Sequence, residues 1–141
     1  MIALLLVVAA CGDDGGDGSG GTATPSVSEL CLQTFAAATP GPASLLEISA
    51  NSLTSFNVDA LEAPAAEPLS VTFDNQDSGV QHNFALYEDE GDAEGGAKPI
   101  AATELEPGPD SQTVDVCALA AGAYYFHCDV HPNMNGTLTL E

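Results

Sequence analysis

Three residues near the C-terminal end of the sequence carry side chains that bind soft metal ions. Cys128, His131 and Met134 recur at intervals of three residues, and a further histidine, His82, precedes them by a long stretch of chain. Thiolate and thioether suit Cu(I) and imidazole also suits Cu(II), so this set can hold copper in both oxidation states. Zinc accepts Cys and His but has little use for Met. The four side chains together therefore indicate a site for one copper ion.

These donors reach one ion only if the chain turns back between them. Pro132 and Gly136 are residues that favour such a turn. The fourth donor must come from a neighbouring strand. Alternate residues of a strand share a face, so the side chain of Cys128 points the same way as Phe126, and that of His82 the same way as Phe84. If both faces point inward, the donors meet in one core.

The strand that ends at Cys128 contains two other features with a structural interpretation. His127 lies on the opposite strand face from Cys128, so we expect a surface or packing histidine rather than a ligand. The aromatic run Tyr124–Phe126 is expected to pack in the core and sheet rather than to relay electrons.

Short segments of alternating apolar and polar residues, separated by turn residues, run through the rest of the chain. This pattern predicts an all-β, antiparallel sandwich or barrel in a single domain. Residues Glu29–Ala38 fit either a short helix or an edge strand, and Glu88–Gly96 is predicted to be an acidic loop. The predicted strands are Leu45–Ala50, Phe56–Leu61, Leu69–Phe73, His82–Tyr87, Thr113–Val116, Tyr124–Cys128 and Thr137–Leu140.

The pattern Cys128-x-x-His131-x-x-Met134, together with the pair His82-Asn83, resembles the cupredoxin (blue copper) family. The C-terminal loop is similar to that of amicyanin- and plastocyanin-type proteins. The resemblance implies a Greek-key β-sandwich with His82, Cys128 and His131 as equatorial copper ligands and Met134 as the axial ligand. It also implies that Asn83 ties the ligand loops together near Asp129.

The resemblance implies a carrier of single electrons, not an enzyme. Multicopper oxidases and nitrite reductases need His-x-His pairs, and the sequence has none. The alternative is a lipoprotein that binds or delivers copper without transferring electrons. Such proteins tend to use open sites rich in Met or His. This sequence has only two Met and no cluster of His, which argues against a copper-delivery protein. A metal-free adhesion module would leave Cys128 and His131 unexplained.

The N-terminal residues resemble an export signal with a site for lipid attachment. Ile2–Ala10 is an apolar run too short to span a bilayer, and Val8-Ala9-Ala10-Cys11 resembles a bacterial lipobox. We predict a signal peptide over residues 1–10, a lipidated Cys11 with a flexible tether over residues 11–28, and a folded domain over residues 29–141. The alternative is an ordinary signal peptide. The predicted location is the outer side of a bacterial membrane, facing the periplasm or the cell exterior.

Two cysteines, Cys31 and Cys117, have no role in the metal site or at the lipobox. Spare cysteines in an exported protein commonly pair, so a disulfide between them is predicted. Two free buried thiols are the alternative.

The charge is strongly negative, with 21 Asp and Glu against one basic residue and a formal net charge of −20. This excludes nucleic acid as a partner. It favours basic redox partners, such as a cytochrome or a membrane respiratory complex, and we expect a monomer. Solubility or adaptation to salty surroundings explains the charge equally well.

Overall fold

The computed structural model describes residues 44–52 and 55–141, and its regular secondary structure consists mostly of strands. Within this described part of the chain, a short helix, α1, spans Glu90–Glu94. The strands, in chain order, are β1 (Ser44–Ser52), β2 (Ser55–Phe56), β3 (Ala60–Ala63), β4 (Leu69–Asn75), β5 (Gln81–His82), β6 (Ala85–Tyr87), β7 (Ala101–Ala102), β8 (Glu106–Pro107), β9 (Asp110–Val116), β10 (Gly122–Cys128) and β11 (His131–Leu140).

Two sheets form a sandwich, as the sequence predicts. One sheet has the strand order β2-β1-β4-β9 and the other has the order β3-β11-β10-β6-β7, while β5 and β8 form a separate two-stranded ribbon. Most neighbouring strands are antiparallel, but β1 runs parallel to β4 and β3 runs parallel to β11. The parallel pair of β3 and β11 therefore joins segments that are distant in sequence.

The strands form because their apolar residues alternate. In β4, Leu69, Val71 and Phe73 are buried while the residues between them are partly exposed. One face of such a strand is therefore in the core and the other faces water. In β11, Leu138 and Leu140 extend the same pattern to the end of the chain.

Phenylalanine rings from both sheets meet in the core of the sandwich. The ring of Phe56 lies edge-on to Phe73 and Phe126, with centroids 6.1 and 5.5 Å apart, and Phe84 lies 5.4 Å from Phe126. Rings at such separations attract each other beyond their burial of apolar area. This packing fixes β10, which ends at Cys128, against the opposite sheet.

The structure differs from the predicted elements where the backbone changes partners. The predicted strand His82–Tyr87 is interrupted, because the N–H of Phe84 donates to the hydroxyl of Thr103 at 3.0 Å instead of to a neighbouring strand. All six residues of that segment are buried, so the two-residue alternation does not apply there. Likewise, Phe56–Leu61 divides into β2 and β3.

The predicted acidic loop contains the helix α1. Asp89 caps it, since its carboxylate accepts a hydrogen bond from the N–H of Asp92 at 2.9 Å. Acidic residues in a first helical turn stabilise the positive end of the helix dipole. None of the described residues belongs to a helix long and apolar enough to cross a membrane. Glu29–Ala38 lies outside the described residues.

Candidate metal centre

The hairpin of β10 and β11 carries three of the predicted donors. Asp129 and Val130 form the turn, and Cys128 pairs directly with His131. The pairing then shifts, because the next pair is His127 with Asn135. The extra residues of β11 bulge out of the ladder, and Met134 within this bulge has no exposed surface. A β-bulge is a device that redirects a side chain next to a functional site.

Gly136 has a different role from the predicted one. It does not turn the chain but lies within β11 opposite Phe126. A Cβ atom at this position would lie less than 3.0 Å from the carbonyl oxygen of Asp59 and from the Phe126 ring. The residue must therefore lack a side chain so that β11 can approach its neighbours.

The fourth predicted donor comes from the ribbon of β5 and β8. His82 pairs with Glu106 across this ribbon and is fully buried. Its Nδ1 atom lies 3.8 Å from Sγ of Cys128, and Nδ1 of His131 lies 3.7 Å from the same sulfur. One donor atom from each of His82, Cys128 and His131 lies within 4.8 Å of the others.

These separations fit a metal ion among the three donors. With metal–sulfur and metal–nitrogen lengths of about 2.3 and 2.05 Å, as for zinc, and a trigonal angle of about 120°, the two ligand atoms lie about 3.8 Å apart. A tetrahedral angle would bring them to about 3.6 Å. The observed separations of 3.8 and 3.7 Å lie within this range, so one ion could contact the sulfur and both imidazoles. This arrangement, with a thioether nearby, is the donor set of a blue-copper site.

The donors differ in how far they reach the surface. Cys128, His82 and Met134 are completely buried, and His131 is partly exposed. Both Cys128 and Met134 belong to the main hydrophobic core. The structure therefore brings together the three N and S donors predicted from the sequence and buries Met134 in the same core.

Asn83 joins the segment after His82 to the turn after Cys128. Its Nδ2 donates to Oδ2 of Asp129 at 2.7 Å, and its Oδ1 accepts from the backbone N–H of Asp129 at 2.9 Å. These reciprocal bonds hold the two ligand-bearing segments in register. The contact with Asp129 is the one that the resemblance implies.

Asp129 also organises a small polar cluster behind the site. The hydroxyl of Tyr87 donates to Oδ1 of Asp129 at 3.1 Å, and Nε2 of His127 lies 3.2 Å from the same oxygen. The His127 ring packs edge-on against Tyr87 and Tyr125. His127 is therefore a buried packing residue and lies outside the group of donors.

The pKa of Tyr87 is raised from its ordinary value of 10.0 to about 12. Burial is the main cause, and the negative charge of Asp129 and the hydrogen bond to it act in the same direction. Burial also raises the pKa of Tyr125, with a contribution from Glu90 and Glu94 of α1. The acidic helix therefore lies near the β10 aromatic residues.

Cys117, the other cysteine among the described residues, lies outside the group of donors. Cys117 is buried in the core and is disulfide-bonded. Its predicted partner, Cys31, and the predicted lipidation residue, Cys11, lie outside the described residues, so both assignments stay predictions. Among the described residues, Cys128 is the free cysteine.

One polar contact of the site has no counterpart in the sequence analysis. Oδ2 of Asp77 lies 3.2 Å from Nε2 of His82. Asp77 stands in a turn rich in polar residues, and nothing in that pattern distinguishes a carboxylate that faces a ligand from one that faces water. The signal exists only in the folded chain.

Comparison with known proteins gives a family and a set of similar structures. Residues 29–140 match the family model described as a cupredoxin-like domain. None of the curated proteins compared with the chain matches it.

Three solved structures illustrate the structural similarity. Reduced auracyanin from Roseiflexus castenholzii is 22% identical with a TM-score of 0.63, covering 72% of this chain and 99% of its own. Auracyanin A of Chloroflexus aurantiacus, described as a "blue" copper protein, is 22% identical with a TM-score of 0.60, covering 69% and 98%. Rusticyanin of Thiobacillus ferrooxidans is 19% identical with a TM-score of 0.57, covering 72% and 79%. At these identities the similarity establishes the fold.

Proposed function

Since this chain belongs to the cupredoxin-like family of blue copper proteins, we propose that it carries single electrons between redox partners outside the cytoplasm. The observation that carries the proposal is the convergence of Cys128 Sγ with Nδ1 of His82 and His131, at 3.8 and 3.7 Å, beside the buried Met134. Bound copper supplies a reversible one-electron couple, which this mixed set of soft and borderline donors supports in both states.

The protein's contribution is to fix the donors before the metal arrives. Cys128 and His131 are held by pairing within the β10–β11 hairpin, and His82 by pairing with β8. The Asn83–Asp129 bonds join these two parts. Donors held by packing and hydrogen bonds keep their positions when the charge at the site changes. Such a site favours rapid electron transfer.

The exposure of the donors supports one route for electrons. The partly exposed His131 reaches the surface beside Val130 and Pro132, and the side chain of Val130 is 47% exposed. An apolar surface around one exposed ligand allows a partner to approach closely and exclude water. We propose that a redox partner docks at this end of the molecule.

Charge supports the choice of a basic partner, such as a cytochrome. The formal net charge is −20, and the acidic helix α1 lies near Tyr125 of β10. Attraction between opposite charges speeds encounter and weakens as salt rises. Residues 1–28 support export and attachment to a membrane through Cys11, as the sequence analysis predicts. We propose a carrier rather than an enzyme.

The test is to add one equivalent of Cu(II) to the purified protein and to record visible absorption and electron paramagnetic resonance spectra. We expect an intense blue thiolate-to-copper band with narrow copper hyperfine splitting. Cys128→Ser should remove the band, because the thiolate is its source. His127→Gln is the matched control, since His127 adjoins Cys128 but lies outside the donor group, and it should leave the band intact.

A colourless product would contradict the proposal and favour a zinc site or a metal-free scaffold. A second measurement separates electron transfer from copper delivery. The loaded protein is cycled between oxidation states in the presence of a Cu(I) chelator. A carrier with buried Cys128 and Met134 should retain its copper over many cycles, whereas a delivery protein should lose it.

A further inference from the structure

A carboxylate lies on the far side of the buried His82 from the donor cluster. Nδ1 of His82 faces Sγ of Cys128, while Nε2 of the same ring lies 3.2 Å from Oδ2 of Asp77. A histidine that binds a metal through Nδ1 carries its proton on Nε2. His82 therefore donates a hydrogen bond to Asp77 when Nδ1 binds a metal.

The turn that carries Asp77 is held by the surrounding chain. Nδ2 of the buried Asn75 donates to the carbonyl oxygens of Val80 and Glu106, each at 2.9 Å. Oδ1 of Asn75 accepts from the N–H of Asp77 at 3.0 Å, and the carbonyl of Asp77 accepts from the N–H of Val80 at 3.0 Å. The position of the carboxylate is therefore set by the backbone of the turn.

Gly108 packs closely against the same turn. A Cβ atom at Gly108 would lie 2.7 Å from the carbonyl oxygens of Asn75 and Asp77, closer than real Cβ contacts. The turn also pairs with this segment, since the N–H of Gly79 donates to the carbonyl of Gly108 at 2.9 Å. These contacts fix the backbone at Asp77, and its carboxylate lies within hydrogen-bond distance of His82.

We propose that Asp77 is a positioning residue that orients His82 and lowers the reduction potential of the copper site. This inference rests on the proposed function. The side chain of His82 is completely buried and that of Asp77 is 23% exposed, so their hydrogen bond is poorly screened by water. Partners of this kind orient a ligating histidine and make it a stronger donor.

The direction of the effect follows from the charges. The thiolate of Cys128 and two neutral imidazoles leave one net positive charge on a site holding Cu(II) and none on a site holding Cu(I). The carboxylate of Asp77 attracts the first and gains nothing from the second. It therefore favours the oxidised form, and its removal should raise the potential.

The test compares Asp77→Asn with Glu106→Gln in the copper-loaded protein. Each change removes one negative charge near His82 and keeps the side-chain shape. Glu106 lies opposite His82 in the ribbon but is exposed and makes no hydrogen bond to its ring. Exposed charges are screened, so Glu106→Gln should have little effect. Asp77→Asn should shift the equilibrium about ten-fold toward the reduced form, or about 59 mV for one electron.

A second readout follows the hydrogen bond itself. In the diamagnetic reduced protein, the Nε2 proton of His82 should give a slowly exchanging nuclear magnetic resonance signal, which Asp77→Ala should lose. Equal potentials for Asp77→Asn and Glu106→Gln, with both proteins blue, would overturn the inference and leave the proposed function standing. If the unaltered protein is not blue, the proposed function fails, and the Nε2 proton of the zinc-loaded protein still tests the contact.

Discussion

Replacement of Asn83 by Ala tests whether the two ligand-bearing segments are held together by the reciprocal bonds to Asp129. The change removes the 2.7 Å bond from Nδ2 to the carboxylate and the 2.9 Å bond from the Asp129 N–H to Oδ1. A hydrogen bond to a charged group contributes about 1.5–3 kcal/mol and a neutral one about 1 kcal/mol. The Asp129 side chain is 43% exposed, so water replaces part of this loss.

We therefore expect Asn83→Ala to lower the free energy of unfolding by about 2–3 kcal/mol. The measurement is urea unfolding of the copper-free protein. For a slope of about 1–2 kcal/mol per molar urea, the midpoint should fall by roughly 1–3 M. The matched control is Asn135→Ala, which removes one exposed bond, from Asn135 Nδ2 to the carbonyl of Pro132 at 2.8 Å. It should cost less than about 1 kcal/mol.

A double-mutant cycle isolates the contact from other effects of the substitution. If Asn83 acts through Asp129, the changes Asn83→Ala and Asp129→Ala should be non-additive by about 1–2 kcal/mol, as for residues in contact. Additive effects, or a loss at Asn83 no greater than that at Asn135, would refute the reasoning. The stability of the site would then come from strand pairing and apolar packing alone.

Two further predictions concern the hairpin and the cluster behind it. Gly136→Ala should destabilise the protein by about 1–3 kcal/mol, because its Cβ would overlap Asp59 and Phe126. Gly122→Ala should be tolerated, because the nearest atom to its Cβ would be 3.8 Å away. Thermal unfolding of both variants measures the difference, and equal midpoints would contradict the prediction. The raised pKa of Tyr87, about 12 against 10.0, means that the native state retains this proton more firmly than the unfolded state. Its contribution to stability is present below pH 10 and is lost as the pH rises to about 12. Urea unfolding between pH 9 and 12 should show this decline in the free energy of unfolding. Tyr87→Phe should make the decline with pH less steep, and an equally steep decline would disprove the assignment.

The cupredoxin fold and the copper cofactor were predictable because short motifs encode them. The spacing of Cys128, His131 and Met134 and the pair His82-Asn83 are local in sequence. Family membership and the sandwich are confirmed by the family match and by the sheets. The alternation of apolar and polar residues in Leu69–Phe73 also predicted correctly which face of β4 is buried.

Other features depend on contacts that the sequence pattern does not contain. The predicted strand is broken between His82 and Ala85 because β5 pairs with β8, whereas β6 pairs with β10 and β7. Glycine is required at position 136 because the carbonyl oxygen of Asp59, in the connection between β2 and β3, lies against it. The contact of Asp77 with His82 requires a specific turn geometry. Tertiary packing decides all three.

The donors come from a hairpin and from a ribbon that is distant from it in sequence. The copper site is therefore complete only when the chain has folded. Cys128 and His82 are 46 positions apart, whereas Cys128 and His131 are 3 apart. Local hairpins form before contacts between distant segments, because closing a long loop costs more entropy. A partly folded chain can therefore present Cys128 and His131 but not the full site. A copper ion that binds the complete site and not the unfolded chain therefore adds to the stability of the native state by mass action.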